Sequence, residues 1–194
     1  MRGHALSRRL LLIFLLPPFA ALAQTPPPPA VAITFDDLPF AFAPTRDNAQ
    51  LAQMTTRLLR QLQAERVPAV GFVNEEKLSC AGKPDPARVE LLRSWVAAGF
   101  ELGNHTYSHV SLNRMSPDAF LADLLRGEAV TRPLMHSAGR GLRWFRYPYL
   151  HTGATPEARD AFRGMLAARG YREAPVSVNS SEWVFAAAYS RAQA

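Results

Sequence analysis

The sequence predicts an α/β domain built on a parallel sheet. Two observations carry this. From Val31 onward, short β-branched and aromatic runs alternate with longer stretches of helical periodicity. Polar residues able to do chemistry gather just after the short runs, at the strand ends where such sheets place their sites. With 48% apolar and 20% charged residues among 194, the chain has the composition of a folded domain rather than a solvated tail.

Arg2, Arg8 and Arg9, the apolar run Leu10 to Leu16, Pro17 and Pro18, and the small-residue exit Ala21-Leu22-Ala23 read as a signal peptide over residues 1–23, cut before Gln24. The apolar run falls short of the ~20 residues a membrane span needs. The expectation is therefore a periplasmic or secreted product without a stable membrane anchor. Residues 24–30, with four consecutive prolines, form a stiff extended spacer, and the domain proper is 31–194. Removing three arginines with the signal takes the formal charge from +6 to +3. No basic cluster is interleaved with aromatics, so nucleic acid is not expected as a partner. About 170 residues remain, fewer than the roughly 250 of a complete eight-unit barrel. The lone Cys80 has no partner for an internal disulfide, and oligomeric state leaves no sign in the sequence.

Val31 to Phe35 is the first expected strand. Asp47 to Glu65 is a helix carrying Leu51, Met54, Leu58 and Leu62 at helical spacing, and Val67 to Val73 is the second strand. Pro86 to Ala98 is a helix stopped by Gly99, with Leu91, Leu92, Trp95 and Val96 on its apolar side. Phe100 to Gly103 is the third strand. Ser116 caps a helix that starts at Pro117 and is expected to run to Met135. Leu142 to Phe145 is a fourth strand, Pro156 to Arg169 a helix ended by Gly170, Ala174 to Val178 a fifth strand, and another helix begins at Trp183.

On this frame Asp36 and Asp37 follow the first strand, Asn104, His105 and His109 the third, Arg146 the fourth, and Asn179 and Glu182 the fifth. His105 and His109 enclose three residues; in a helical loop, positions i and i+4 face the same way and two imidazoles can grip one metal. Two histidines and an aspartate make a ligand set with open positions, suited to zinc or a related divalent ion. The other aspartate is then free to take a proton from attacking water as general base. Arg146 can hold that carboxylate ionised. Spacing alone does not say which aspartate does which.

Thr34-Phe35-Asp36-Asp37, His105-Thr106-Tyr107-Ser108-His109 and Arg146-Tyr147-Pro148-Tyr149 resemble, in order and spacing, the first three motifs of the NodB-homology polysaccharide deacetylases, carbohydrate esterase family four. The resemblance covers Val31 to about Trp183. It implies a distorted, incomplete (β/α) barrel and metal-dependent removal of acetyl groups from N-acetylated or O-acetylated glycans. It also implies that Asp36 is the base, that Asp37, His105 and His109 hold zinc (or cobalt or manganese), that Arg146 orients Asp36, and that the Tyr149 N–H binds the oxyanion.

The family's fourth motif, D-x-x-D-W, resembles Asn179-Ser180-Ser181-Glu182-Trp183 with both acids altered, which weakens the implied hold of Asn179 on Arg146. Trp183 is either a wall of the acetyl pocket or a core tryptophan. The fifth motif, whose histidine protonates the leaving amine, has no match before Ala194. Of the remaining histidines, His136 reads as a surface residue. His151, two residues past Tyr149, reads as a substrate contact or a substitute acid. A catalytically impaired carbohydrate-binding relic, or a gene fragment of such an enzyme, is the alternative to an active deacetylase.

Overall fold

The structure is a computed structural model that describes residues 31–41, 47–80 and 82–192; the signal peptide and the proline-rich spacer expected from the sequence lie outside these. Five strands form one parallel sheet: β1 (Ile33–Leu38), β2 (Ala69–Val73), β5 (Glu101–Asn104), β6 (Trp144–Phe145) and β7 (Arg172–Glu173), side by side in that order. A two-stranded antiparallel ribbon of β3 (Ser79–Cys80) and β4 (Lys83–Pro84), unanticipated from the sequence, stands apart. Each new strand of the main sheet adds on the same side, with no reversal of order. This is the winding sense of a barrel rather than of a doubly wound sheet, and the barrel is incomplete, with β1 and β7 at its two edges.

The helices are those that capping chemistry favours. Asp47 caps α1 (Asn48–Ala64) by accepting from the Gln50 N–H. Asp85 caps α2 (Pro86–Ala97), Ser116 caps α3 (Pro117–Arg126) and Thr155 caps α5 (Pro156–Ala168), each ahead of a proline in the first turn. The apolar face of α1 is Leu51, Leu59 and Leu62, with Thr55, rotated slightly from the expected stripe so that Met54 faces outward. Trp95 from α2, Phe72 and Leu102 from the sheet, and Phe120, Phe145 and Phe162 are fully buried. Phe120 and Phe162 pack edge to face at 4.8 Å between centroids, locking α3 against α5.

Four element boundaries differ from the sequence expectation. The helix expected over Pro117 to Met135 is two helices, α3 and α4 (Thr131–Ser137). The break is enforced by Glu75, buried at 4% exposure, whose carboxylate accepts from the N–H groups of Val130 and Thr131 and so caps a new helix. The fourth strand shortens to Trp144–Phe145. The fifth strand is Arg172–Glu173 rather than Ala174 to Val178. Buried Tyr171 brings the chain to the sheet immediately after Gly170, and Ala174 makes the last ladder bond, to the Phe145 carbonyl. Finally, β1 runs on to Leu38, so both aspartates lie within the strand rather than after it. Trp183 is the second residue of α6 (Glu182–Ala192), a helix with no buried residue; at 55% exposure it is not a core tryptophan. Among the described residues no helix is long and apolar enough to cross a membrane.

Candidate functional site

The register between β1 and β2 slips between Phe35 and Leu38, and this bulge is what presents Asp36 and Asp37 at the C-terminal edge of the sheet. Asp37 takes a positive φ of 66° there. Thr106 (63°), His109 (54°), Tyr149 (58°) and Leu150 (58°) do the same on the neighbouring loops. Only two other described non-glycine residues, Arg66 and Ser181, have such a backbone. Left-handed backbone at ordinary residues costs about 1–3 kcal/mol each and concentrates where a site over-determines it.

One ligand atom from each of Asp37, His105 and His109 can be chosen so that all three lie within 4.8 Å of one another. The loop that achieves this is not helical, as the spacing had suggested; turns at Thr106 and His109 bring the two rings to 5.0 Å. Its shape is set by partners distant in sequence. The Asn104 side chain accepts from the Thr106 N–H at 2.7 Å and donates to the carbonyls of Leu124 and Gly127. The Asn74 amide donates to the His105 carbonyl, and Asp123 accepts from the Ser108 N–H and hydroxyl. Gly127 packs so closely that a Cβ there would sit 2.8 Å from backbone atoms of Thr106 and Tyr107. Gly127→Ala is accordingly expected to cost about 1–3 kcal/mol, read as a lowered thermal midpoint; an unchanged midpoint would show that the loop yields freely.

His105 is 2% exposed, and its Nδ1 lies 2.8 Å from the Arg146 carbonyl. A proton on Nδ1 donates to that carbonyl and leaves the Nε2 lone pair for a ligand role. Burial drives the pKa of His105 down from its ordinary 6.5 to about 4, and burial likewise lowers that of His109. Burial alone would raise Asp37, but the charge of Lys77, then His109, outweighs it and the carboxyl sits below its ordinary value. The Lys77 ammonium lies 2.9 Å from Asp37 Oδ1 and donates to the Asp37 carbonyl oxygen. Oδ1 is buried and takes no well-aligned hydrogen bond, with His109 Nε2 3.6 Å away. A buried carboxylate oxygen facing two imidazoles is the chemistry of a divalent-cation site, and these residues fit one.

The lowered His105 pKa has a sign. Between pH 6.5 and about 4 the unfolded chain binds the proton and the folded chain does not, so stability of the metal-free protein falls as pH drops through that window. The loss is expected to approach about 3 kcal/mol at its lower end. A urea midpoint that held steady from pH 7 to pH 4.5 would refute a neutral buried His105.

Arg146 is 3% exposed and held on every side, with the Phe72 ring against its guanidinium. Its Nη1 donates to Asp36 Oδ1 at 2.8 Å and to the Thr34 hydroxyl at 2.6 Å, and its Nε donates to the Ala174 carbonyl at 3.0 Å. Asn179 is not among these partners; its side chain accepts from the Ser181 N–H, and the Ser180 hydroxyl donates to Glu182. The Tyr149 ring is 60% exposed and packs 4.5 Å from the His109 ring. His151 lies 5.6 Å beyond it, with Nδ1 2.9 Å from the Ser111 hydroxyl. Sequence reasoning overlooked Lys77 and Asn74. Neither carries a local signal, since each acts on a residue more than 30 positions away.

Residues 23–167 match the family model described as polysaccharide deacetylase. Over 156 residues the chain is 28% identical to the chitin deacetylase of Colletotrichum lindemuthianum, an alignment covering 79% of this chain and 52% of that protein. The solved structure of that fungal enzyme superposes with a TM-score of 0.57 at 26% identity, over 78% of this chain and 57% of the other. A family 4 carbohydrate esterase from Streptomyces lividans, solved in complex with acetate, gives a TM-score of 0.56 at 25% identity, over 79% and 65%. The chain thus spans about half the length of the curated relative it matches.

Proposed function

Because this chain belongs to the polysaccharide deacetylase family, we propose that it is an exported, divalent-metal-dependent hydrolase that removes acetyl groups from an acetylated glycan. The observation that carries the reading is the joint geometry of one ion-paired and one ligand-facing aspartate on the same bulge. Asp36 is bound to Arg146 at 2.8 Å, while Asp37 faces His105 and His109. Structural aspartates at a strand end have no need of such a division.

An ion held by Asp37, His105 and His109, with zinc favoured by two imidazoles and cobalt or manganese as alternatives, would supply Lewis-acid polarisation of the acetyl carbonyl and the attacking water. The chain's own residues do the rest. Asp36 takes the proton of the attacking water, and Arg146 holds and aims that carboxylate. The His105 Nδ1 contact with the Arg146 carbonyl ties the ligand loop to the segment that orients the base. The left-handed turn at Tyr149 is where a backbone N–H is assigned to the developing oxyanion. The exposed Tyr149 ring offers a sugar a flat apolar face; Trp183, exposed on α6, is taken for the substrate pocket on the family resemblance alone. Export is supported by the residues 1–23 alone.

Acetate release from acetylated chitooligosaccharide with added zinc, abolished by a chelator and restored by metal, is the expected result. Binding of the oligosaccharide without any metal-dependent acetate release would favour the non-catalytic reading instead.

A further inference from the structure

We propose that His151 is the residue that protonates the departing nitrogen, a role that rests on the deacetylase reading above. Cleaving an acetamide requires more than a nucleophile. An amine anion is too basic to leave, so the nitrogen must gain a proton as the C–N bond breaks. Among the described residues, the two aspartates, the two loop histidines and the lysine at this edge of the sheet are already committed. Asp36 is locked to Arg146 on the side that receives the proton of water. Asp37, His105 and His109 converge on one point, and Lys77 is spent on Asp37. His151 continues the same row of rings, His105 to His109 at 5.0 Å, His109 to Tyr149 at 4.5 Å and Tyr149 to His151 at 5.6 Å. Tyr149, on whose exposed ring a sugar can rest, thus packs against the ligand His109 and also lies beside His151.

The tether of His151 suits proton delivery. The Ser111 hydroxyl oxygen accepts from the Asn113 N–H at 3.2 Å, which fixes it, and sits 2.9 Å from His151 Nδ1. In the imidazolium, Nδ1–H donates to that oxygen and Nε2–H is the proton available to a ligand. After transfer, the same Nδ1–H bond holds the neutral ring in place, and the ring is open to solvent. The step balances. The water oxygen bonds to the acetyl carbon and one of its two protons goes to Asp36; the C–N bond breaks and the nitrogen takes the Nε2 proton of His151, giving the free amine and acetic acid, which ionises to acetate, and the proton held by Asp36 restores that of His151 by way of solvent. Ser111 lies in the loop after β5, as the ligand histidines do, and His151 in the loop after β6, as Arg146 does. The tether therefore spans the two loops that the reaction must keep in register.

The test compares two substrates on the zinc-loaded protein: acetylated chitooligosaccharide, whose amine leaving group needs a proton, and 4-nitrophenyl acetate, whose phenolate does not. His151→Gln is expected to lose about 10²- to 10⁴-fold in kcat on the amide and to stay within about threefold of the parent on the ester, with metal content unchanged. Ser111→Ala, which frees the ring without removing it, is expected to fall between the two on the amide alone. Equal losses on both substrates, a change confined to KM, or undiminished amide turnover in His151→Gln would overturn the assignment. Failure of the unaltered protein to release acetate from the amide would instead overturn the deacetylase reading itself.

Discussion

Asp36→Asn is expected to lower acetate release by about 10²- to 10⁴-fold while leaving zinc content close to that of the parent; the thermal midpoint falls, because the buried Arg146 guanidinium loses the anion it is paired with. The separation follows from the bulge in β1. Asp36 is paired with Arg146, which also donates to Thr34, and Asp37 with Lys77 and His109, so the two carboxylates share none of these partners. An asparagine at position 36 keeps the shape and one acceptor for Arg146 but cannot take a proton from water. Both substrates used to test His151 would slow, because attack by water precedes departure of either leaving group. Unchanged acetate release from Asp36→Asn, measured with the metal content confirmed, would remove Asp36 from the role of base.

His105→Ala is expected to cut bound zinc by one to two orders of magnitude in affinity, by analogy with the 10- to 100-fold that ligand-supporting groups alone contribute, and to abolish acetate release at micromolar metal. It removes a donor whose ring is almost wholly enclosed and whose Nδ1 sits against the Arg146 carbonyl. The cavity it leaves adds a stability loss of about 2–4 kcal/mol, so the affinity should be read by calorimetry at a temperature where circular dichroism shows the variant folded. His109→Ala offers a cleaner comparison, since that ring is partly exposed and its loss leaves less of a void. Zinc binding at parental affinity in both variants would show that the three residues do not form the metal centre.

Much of this site was legible because its chemistry is carried by short segments at strand ends. Asp36-Asp37 and the His105 to His109 pair could be located from a β-branched run and a spacing, and the alternation of runs gave the parallel sheet. What could not be read depends on side chains that act across the chain. Nothing near Gly127 announces that a carboxylate from Glu75 will cap a second helix at Thr131, 56 positions away. Arg172–Glu173 carries no strand signature; it is a strand because Trp144 and Phe145 offer it a ladder, and Glu173 is held there by Tyr147 and Arg163. The His105 to His109 pair was found for a geometric reason that the structure replaces. The rings meet because Asn104, Asn74 and Asp123 bend the loop, not because five residues wind into a helical turn.

The edge position of β1 joins the mechanics of the sheet to the chemistry at its rim. Among the described residues that strand is hydrogen-bonded on one side only, to β2, yet it supplies both carboxylates; the histidines belong to the loop after β5, the central strand. A cation shared by Asp37 and His105 would therefore be a rivet driven through an edge strand into the loop of the central one. Whatever occupancy the ion gains is added to the free energy of peeling β1 from the sheet. Amide exchange along Ile33–Leu38 and the metal dissociation constant become two readings of one quantity, and a mutation that frays the edge loosens the ion without touching a ligand.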